Sequence, residues 1–442
     1  MKSPGTFSRR TLLSGFAAGA LATVASTGRA QSTASAQSPA LALPVPPADQ
    51  SAARLAQDEA FWREVASHYT RVEGVIDLEN GYWGKMAAPV EEAYLAATRK
   101  VNQEMAVYAR SGYGPDLRES TARTAAALGV AEDEVVLTRN ATESIHNLIR
   151  QYQAITPDDA VLYADIDYPS FQDTMQWLAD SSGARAIKLE MPPRASQQQI
   201  LDAYVSAFDA NPALKLILVT HVSNQHGLVV PVAQIAEQAR ARGIDVICDS
   251  AQSWGLLDFQ LPSLQVDWAG FNLHKWIGAP VGVGALYMRR GTLAKVKPYP
   301  GDTDPDNTRI ASRVHAATSN FAAFMTVPAA LDFHQAVGGA NKEARLRYLR
   351  SLWTAEADAM SHIEVLGGAD EASWTGMAAV RLRGQSSAEQ VNALQQRLHK
   401  DFGIFTVARF DLASGACIRV TPQVFTTPDE LEQLVSALRR MG

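Results

Sequence analysis

The chain has 442 residues, 47% of them hydrophobic and 19% charged, a globular composition with length for two domains or for one large domain and a smaller partner. Its net charge of -6 is spread over mixed acidic and basic residues, which argues against a nucleic-acid surface or a polybasic membrane patch, so a small polar or anionic ligand has to be captured locally. Only two cysteines are present, Cys248 and Cys417, each inside an apolar run; their number excludes a disulfide framework and their spacing suggests no metal site.

The N-terminus reads as an export leader. Ser8-Arg9-Arg10-Thr11-Leu12-Leu13 is a twin-arginine pair followed by an Ala/Gly/Leu-rich stretch to Ala25, too short to span a bilayer. Small-residue cleavage sites follow at Gly28-Arg29-Ala30 and Ala34-Ser35-Ala36, so residues 1–36 are expected to be leader and cleavage region and 37–56 a Ser/Ala/Gln/Pro-rich linker. A disordered basic tail is the plainer alternative. The leader implies the twin-arginine export machinery as a partner, a periplasmic or secreted location, and no membrane association once it is removed. That route carries proteins already folded, often with cofactor loaded.

Residues 57–69 carry a helical pattern within an expected N-terminal arm (57–74), and Val75-Ile-Asp-Leu-Glu-Asn-Gly-Tyr-Trp-Gly84 reads as an extended segment breaking at glycines. From residue 135 apolar, β-branched runs alternate with helical stretches. Strands are expected at 135–138, 160–166, 184–189, 214–222, 244–249, 268–273 and 284–288, with helices such as 143–152, 171–181 and 232–242 between them. Such βαβ alternation predicts an α/β fold with a mainly parallel central sheet sandwiched by helices. A large domain is expected over 75–305, and a smaller C-terminal α+β domain over 306–442.

Ligands in these sheets bind at the carboxyl ends of the strands. Past the first run, Arg139-Asn-Ala-Thr-Glu-Ser144 opens a helix whose N–H groups suit an anion, although Asn140 and Thr142 alternatively only cap it. Past the second, Tyr168 either stacks on a planar ring or closes a turn. Asn224 follows the fourth. His221 and His226 nearby lack the spacing of a zinc pair. Asp249 ends the fifth run at a depth where a carboxylate needs a cationic partner, a protonated pyridine nitrogen or an internal arginine. Past the sixth, His274 and Lys275 lie between two apolar runs. Burial there lowers a lysine's pKa and makes a neutral, Schiff-base-forming amine, whereas a snorkelling lysine at a strand end is the plain alternative.

The order Asn-Ala-Thr, strand-end aromatic, Ser-Asn, Asp-x-x-Gln and His-Lys resembles the fold-type I pyridoxal-phosphate enzymes of aminotransferase class V. Phe271-Asn-Leu-His-Lys-Trp-Ile-Gly-Ala-Pro280 is most similar to the isopenicillin N epimerase-like branch, and export adds a likeness to the periplasmic pyridoxal-phosphate enzymes that tailor pyoverdines. The resemblance spans about 75–441. It implies pyridoxal 5′-phosphate as cofactor, joined to Lys275, which then shuttles a proton between Cα and C4′. It further implies that Asp249 keeps the pyridine nitrogen protonated, Gln252 and Asn224 meet the ring hydroxyl, and Tyr168 stacks on the ring. Asn140, Ala141 and Thr142 take the phosphate at the helix start, with His274 adding a side-chain contact; Asn272 stands where many members have serine. Ser312-Arg-Val-His-Ala-Ala-Thr-Ser-Asn-Phe321 resembles the segment whose threonine, here Thr318, reaches the phosphate of a neighbouring subunit, which implies a homodimer. Arg419, on the short strand of Gly415-Ala-Cys-Ile-Arg-Val-Thr421, matches the arginine that grips a substrate α-carboxylate; a capping box with proline follows at Thr427-Pro-Asp-Glu430.

Cysteine desulfurases of the class carry a nucleophilic loop cysteine before that arginine, and Asp401-Phe-Gly-Ile-Phe-Thr-Val-Ala-Arg-Phe410 has none. Dinucleotide and serine-hydrolase fingerprints are also lacking. The expected activity is transamination, or a related tailoring, of an amino acid or a peptide-borne amino group. Epimerisation and β-elimination share the same residues and remain alternatives. A binding protein that has kept the fold and lost catalysis is the reading from a different class.

Overall fold

The structure, a computed structural model, describes residues 42–302, 308–315 and 317–442. The expected leader and the boundary at 305–306 lie wholly outside these residues, and the linker lies partly outside them. Among the described residues no helix is long and apolar enough to cross a membrane.

Seven strands form the central sheet: β1 (Val135–Thr138), β2 (Ala160–Ala164), β3 (Arg185–Leu189), β4 (Leu214–Thr220), β5 (Asp245–Ser250), β6 (Trp268–Asn272) and β7 (Gly284–Met288), in the order β1-β7-β6-β5-β4-β2-β3. All seven fall on expected runs, with ends shifted by one or two residues. Only β7 runs against the rest. Six carboxyl ends therefore open onto one edge.

Each face of the sheet is covered, which is why the strands read as continuous apolar runs rather than alternating ones. In β4, Leu216 and Leu218 pack with Ile145, Leu148, Phe171 and Met175 from helices Ala141–Gln151 and Pro169–Ser182. Ile217 and Val219 face the other way, toward Ile200, Tyr204, Ile235 and Ala239 on helices Gln197–Ala210 and Val232–Ala241. Side chains buried this completely contribute about 1.5–3 kcal/mol each. Local chemistry sets the helix ends. Asn140 accepts from the Glu143 N–H at 2.8 Å, and Pro169 opens a helix that stops at Gly183, where φ is +76°.

A second sheet holds β8 (Ile363–Gly368), β9 (Ala378–Leu382), β10 (Val407–Arg409) and β11 (Cys417–Val420) in the order β10-β11-β9-β8, all antiparallel. Two earlier segments join this part of the chain: Arg194–Ala195 extends β8 in parallel, and Ile76–Asp77 pairs with Ile404–Phe405. Glu79 then bridges to Thr421. The extended segment 75–84 is thus drawn between the two sheets. Helices Ala88–Ser111 and Tyr113–Leu128, not assigned from the sequence, follow it. The box at Thr427 forms as expected, with its hydroxyl accepting from the Glu430 N–H.

Candidate active site

A cavity of about 370 Å³ opens at the shared strand edge and is lined by Asn140, Thr142, Tyr168, Asn224, Asp249, Gln252, His274, Lys275 and Arg419, together with Gly81, Trp83, Phe171, Asn272 and Arg409. Nine expected residues, more than 270 positions apart at the extremes, therefore share one chamber. Two do not line it. Ala141 is reached only through its amide, and Thr318 lies on the exposed surface.

One end is shaped for an anion. The Ala141 N–H donates to Asn272 Oδ1 at 2.8 Å, which fixes the amide orientation and leaves the Nδ2 donors of Asn272 for the cavity. The Thr142 N–H, second in the helix, makes no hydrogen bond to the described protein and keeps the positive dipole end available. His274 Nδ1 donates to the Val283 carbonyl at 2.8 Å; burial pushes its pKa down to about 4, so the ring is neutral and Nε2 is an acceptor. A nearby anion would favour the protonated ring and so act against that shift.

At the middle, Asp249 closes β5 with its Oδ1 accepting from the Ala251 N–H at 2.9 Å. Burial raises its pKa, and the charge of Lys275 opposes the rise. Lys275 shifts the other way: burial lowers its pKa, followed by the positive charge of Arg419, while Asp249 pulls it back up. A neutral amine is therefore accessible near neutral pH. Its turn is tightly held. The Leu273 and His274 N–H groups both donate to the Val283 carbonyl, the Gly278 N–H donates to the Lys275 carbonyl at 3.2 Å, and Lys342 Nζ donates to the Trp276 carbonyl from behind. Trp276 Nε1 donates to Gln252 Oε1 at 2.9 Å, and Gln252 Nε2 donates to the Gly81 carbonyl at 2.8 Å. Tyr168 sits at the N-terminal cap of its helix, edge-on to Phe171, with 40% of its surface exposed on the cavity side.

The far wall is a buried ion pair. Arg419 has no exposed surface; its Nη1 donates to the Asn224 carbonyl at 2.7 Å and its Nη2 to Glu79 Oε1 at 2.6 Å. A Cβ at Gly81 would lie 2.7 Å from that Nη2, and one at Gly84 would lie 1.8 Å from the Lys275 carbonyl oxygen. Both positions need glycine for close approach. Sequence reasoning assigned no site role to Glu79, Gly81, Gly84 or Arg409. The paired glycines in an otherwise extended run were the legible signal. Glu79 had none.

Residues 91–434 match the family model for aminotransferase class-V. The chain belongs to aminotransferase class V. Isopenicillin N epimerase of Amycolatopsis lactamdurans is 24% identical over 400 residues, 86% of this chain and 98% of that protein. A probable cysteine desulfurase of Xylella fastidiosa is 30% identical over 281 residues, covering 61% of this chain and 66% of that one. Among solved structures, a C-DES variant with glycine covalently linked to the PLP cofactor shares the fold at a TM-score of 0.72 and 20% identity, over 84% of this chain and 98% of that one.

As in the rest of class V, the cofactor of this chain is pyridoxal 5′-phosphate. The residues fit it: an unpartnered helix N-terminal amide stands at one end of the cavity, which a buried carboxylate with raised pKa and a lysine with lowered pKa also line. A desulfurase-type transfer of sulfur to an enzyme thiol finds no nucleophile in this cavity. Cys248 and Cys417 are both fully buried within strands, outside the cavity lining, and burial pushes both thiols up to about 12.

Proposed function

We propose that the protein is an exported class V enzyme that transaminates, or otherwise tailors, an amino acid or a peptide-borne amino-acid group. The observation that carries this reading is Lys275, its pKa lowered by burial, in one cavity with Asp249 and with a fully buried arginine on the far wall. When bound, the cofactor supplies an electron sink for the charge left at Cα. Lys275 would hold the cofactor covalently, and its amine would move the proton at the substrate Cα. Asp249 would keep the ring nitrogen protonated. Gln252, fixed by Trp276 and Gly81, keeps one Nε2 hydrogen for the ring hydroxyl, beside Asn224. Tyr168 covers the ring. Asn140, Ala141, Thr142, Asn272 and His274 hold the phosphate, and Arg419 orients the α-carboxylate.

The exposed position of Thr318 supports a homodimer in which it reaches the partner's phosphate. The twin-arginine pattern supports export to the periplasm. A second reading, epimerisation, is favoured by the match to isopenicillin N epimerase over 86% of the chain. A panel of amino donors offered to the holoprotein separates the outcomes. Stoichiometric pyridoxamine phosphate marks transamination, loss of optical rotation without it marks epimerisation, and ammonia release marks elimination. No turnover of any donor, peptide-borne amino groups included, would contradict the catalytic reading and leave a binding protein.

A further inference from the structure

The cavity holds a second guanidinium that none of the roles above uses. In the β10–β11 pair, Val407 lies opposite Arg419 and Arg409 opposite Cys417, so Arg409 and Arg419 are diagonal neighbours on one face. Both line the cavity. Arg409 is only 23% exposed, yet its guanidinium makes no hydrogen bond among the described residues, and its Nε is buried without a partner. Its one tie is an ion pair at 3.8 Å to Glu79 Oε1, the same oxygen that Arg419 holds at 2.6 Å. Glu79 does not line this cavity; together with Arg409 it lines a second one. One carboxylate thus serves two guanidiniums, and among the described residues the only carboxylate lining the chamber is Asp249, already assigned to the cofactor.

Buried donors are nearly always partnered, and a forked guanidinium left open beside a cavity is matched by a carboxylate, which takes Nε and Nη together. We propose that Arg409 binds a second anionic group on the substrate, so that this enzyme takes amino acids bearing an acidic side chain, with the α-carboxylate on Arg419 and the side-chain carboxylate on Arg409. The proposal rests on the reading of the cavity as an amino-acid site. It adds a charge requirement that the match to class V does not set. Glu79 pairs with both guanidiniums, so the two arginines carry one net positive charge but present two separate forks, one for each substrate carboxylate.

The test uses two unreactive probes on the holoprotein, glutarate and butyrate, with binding followed by calorimetry and by the visible spectrum. Glutarate is expected to bind at least roughly tenfold more tightly than butyrate, the increment of one charge-assisted pair. Arg409→Gln should bring the two probes to within about twofold while leaving butyrate affinity near wild type, and Arg409→Lys should restore part of the preference. Circular dichroism and cofactor absorbance establish that each variant is folded and loaded. Equal binding of both probes by the wild type overturns the proposal. So does an equal loss of both in Arg409→Gln, which would mean that the two arginines share one carboxylate. If Arg419→Gln leaves butyrate binding unchanged, the amino-acid reading of the cavity fails, and this proposal with it.

Discussion

Replacing Gly84 by alanine probes how firmly the lysine turn is held. The Gly84 N–H donates to the His274 carbonyl at 2.7 Å, and an added Cβ would stand 1.8 Å from the Lys275 carbonyl oxygen. Carbon–oxygen contacts settle at about 3.3 Å, so one backbone has to retreat by about 1.5 Å. Neither moves freely. The lysine turn is bonded through Gly278 and Lys342, and the glycine segment through Gln252 to Gly81. Overpacking of this kind costs about 1–3 kcal/mol, and displacing a reacting group by about 1 Å can lower the rate about a hundredfold. We expect Gly84→Ala to melt earlier and to lose about two orders of magnitude in kcat/KM, with an altered visible spectrum. Gly114→Ala is the control: its Cβ meets only the Arg118 guanidinium at 3.6 Å within a helix, and the variant should be as active and no less stable. Thermal melts, spectra and steady-state rates of the two variants decide the matter. Wild-type kcat/KM in Gly84→Ala would refute the claim that this crossing constrains Lys275.

Asn272→Asp exchanges the free Nδ2 donors for a negative charge beside the phosphate end, so the dissociation constant for pyridoxal phosphate should rise at least roughly tenfold in equilibrium dialysis; an unchanged value removes Asn272 from the phosphate site. Lys342 is buried, and burial alone pushes its pKa from 10.5 down to about 7. A lysine whose folded pKa lies below its unfolded one binds more protons when unfolded, so the stability of the cofactor-free protein should rise with pH between 7 and 8.5. The slope is up to about 1.4 kcal/mol per pH unit for Lys342, and the lowered Lys275 adds to it in the same direction. Urea melts should show the rise, and Lys342→Met should flatten part of it; a slope identical in the variant contradicts the assignment. Glu79→Gln leaves the fully buried Arg419 without its carboxylate and should destabilise the fold by about 3 kcal/mol, read from the same melts; an unchanged midpoint would show the pair to be incidental.

Legibility followed the range of the interactions. The seven central strands could be read because strands covered on both faces leave continuous apolar runs such as Leu216 to Val219. Lys275, Asp249 and Asn140 could be read because each sits at the end of such a run, where a polar residue needs a reason. Asn140 proved to be both helix cap and cavity wall, so the two readings of it are compatible. Asn272 illustrates the limit. In sequence it is only a departure from the family's serine, and the Ala141 bond is what shows that its amide is turned to present donors. Glu79, Arg409 and Arg419 come together across 340 residues, through a segment drawn between two sheets, and local periodicity carries no trace of that. The Gly81 and Gly84 pair was visible, but the backbones it admits were not.

The central claim is that Lys275, and not the other buried lysine behind the same turn, carries the cofactor. Both have pKa values lowered by burial, and both touch the backbone of that turn, Lys342 through the Trp276 carbonyl. Borohydride reduction of the holoprotein followed by peptide mass mapping separates them directly. The phosphopyridoxyl group should be found on Lys275 alone, and Lys275→Ala should lose both the label and the visible absorbance. A label on Lys342, or an absorbance that survives in Lys275→Ala, would contradict the account.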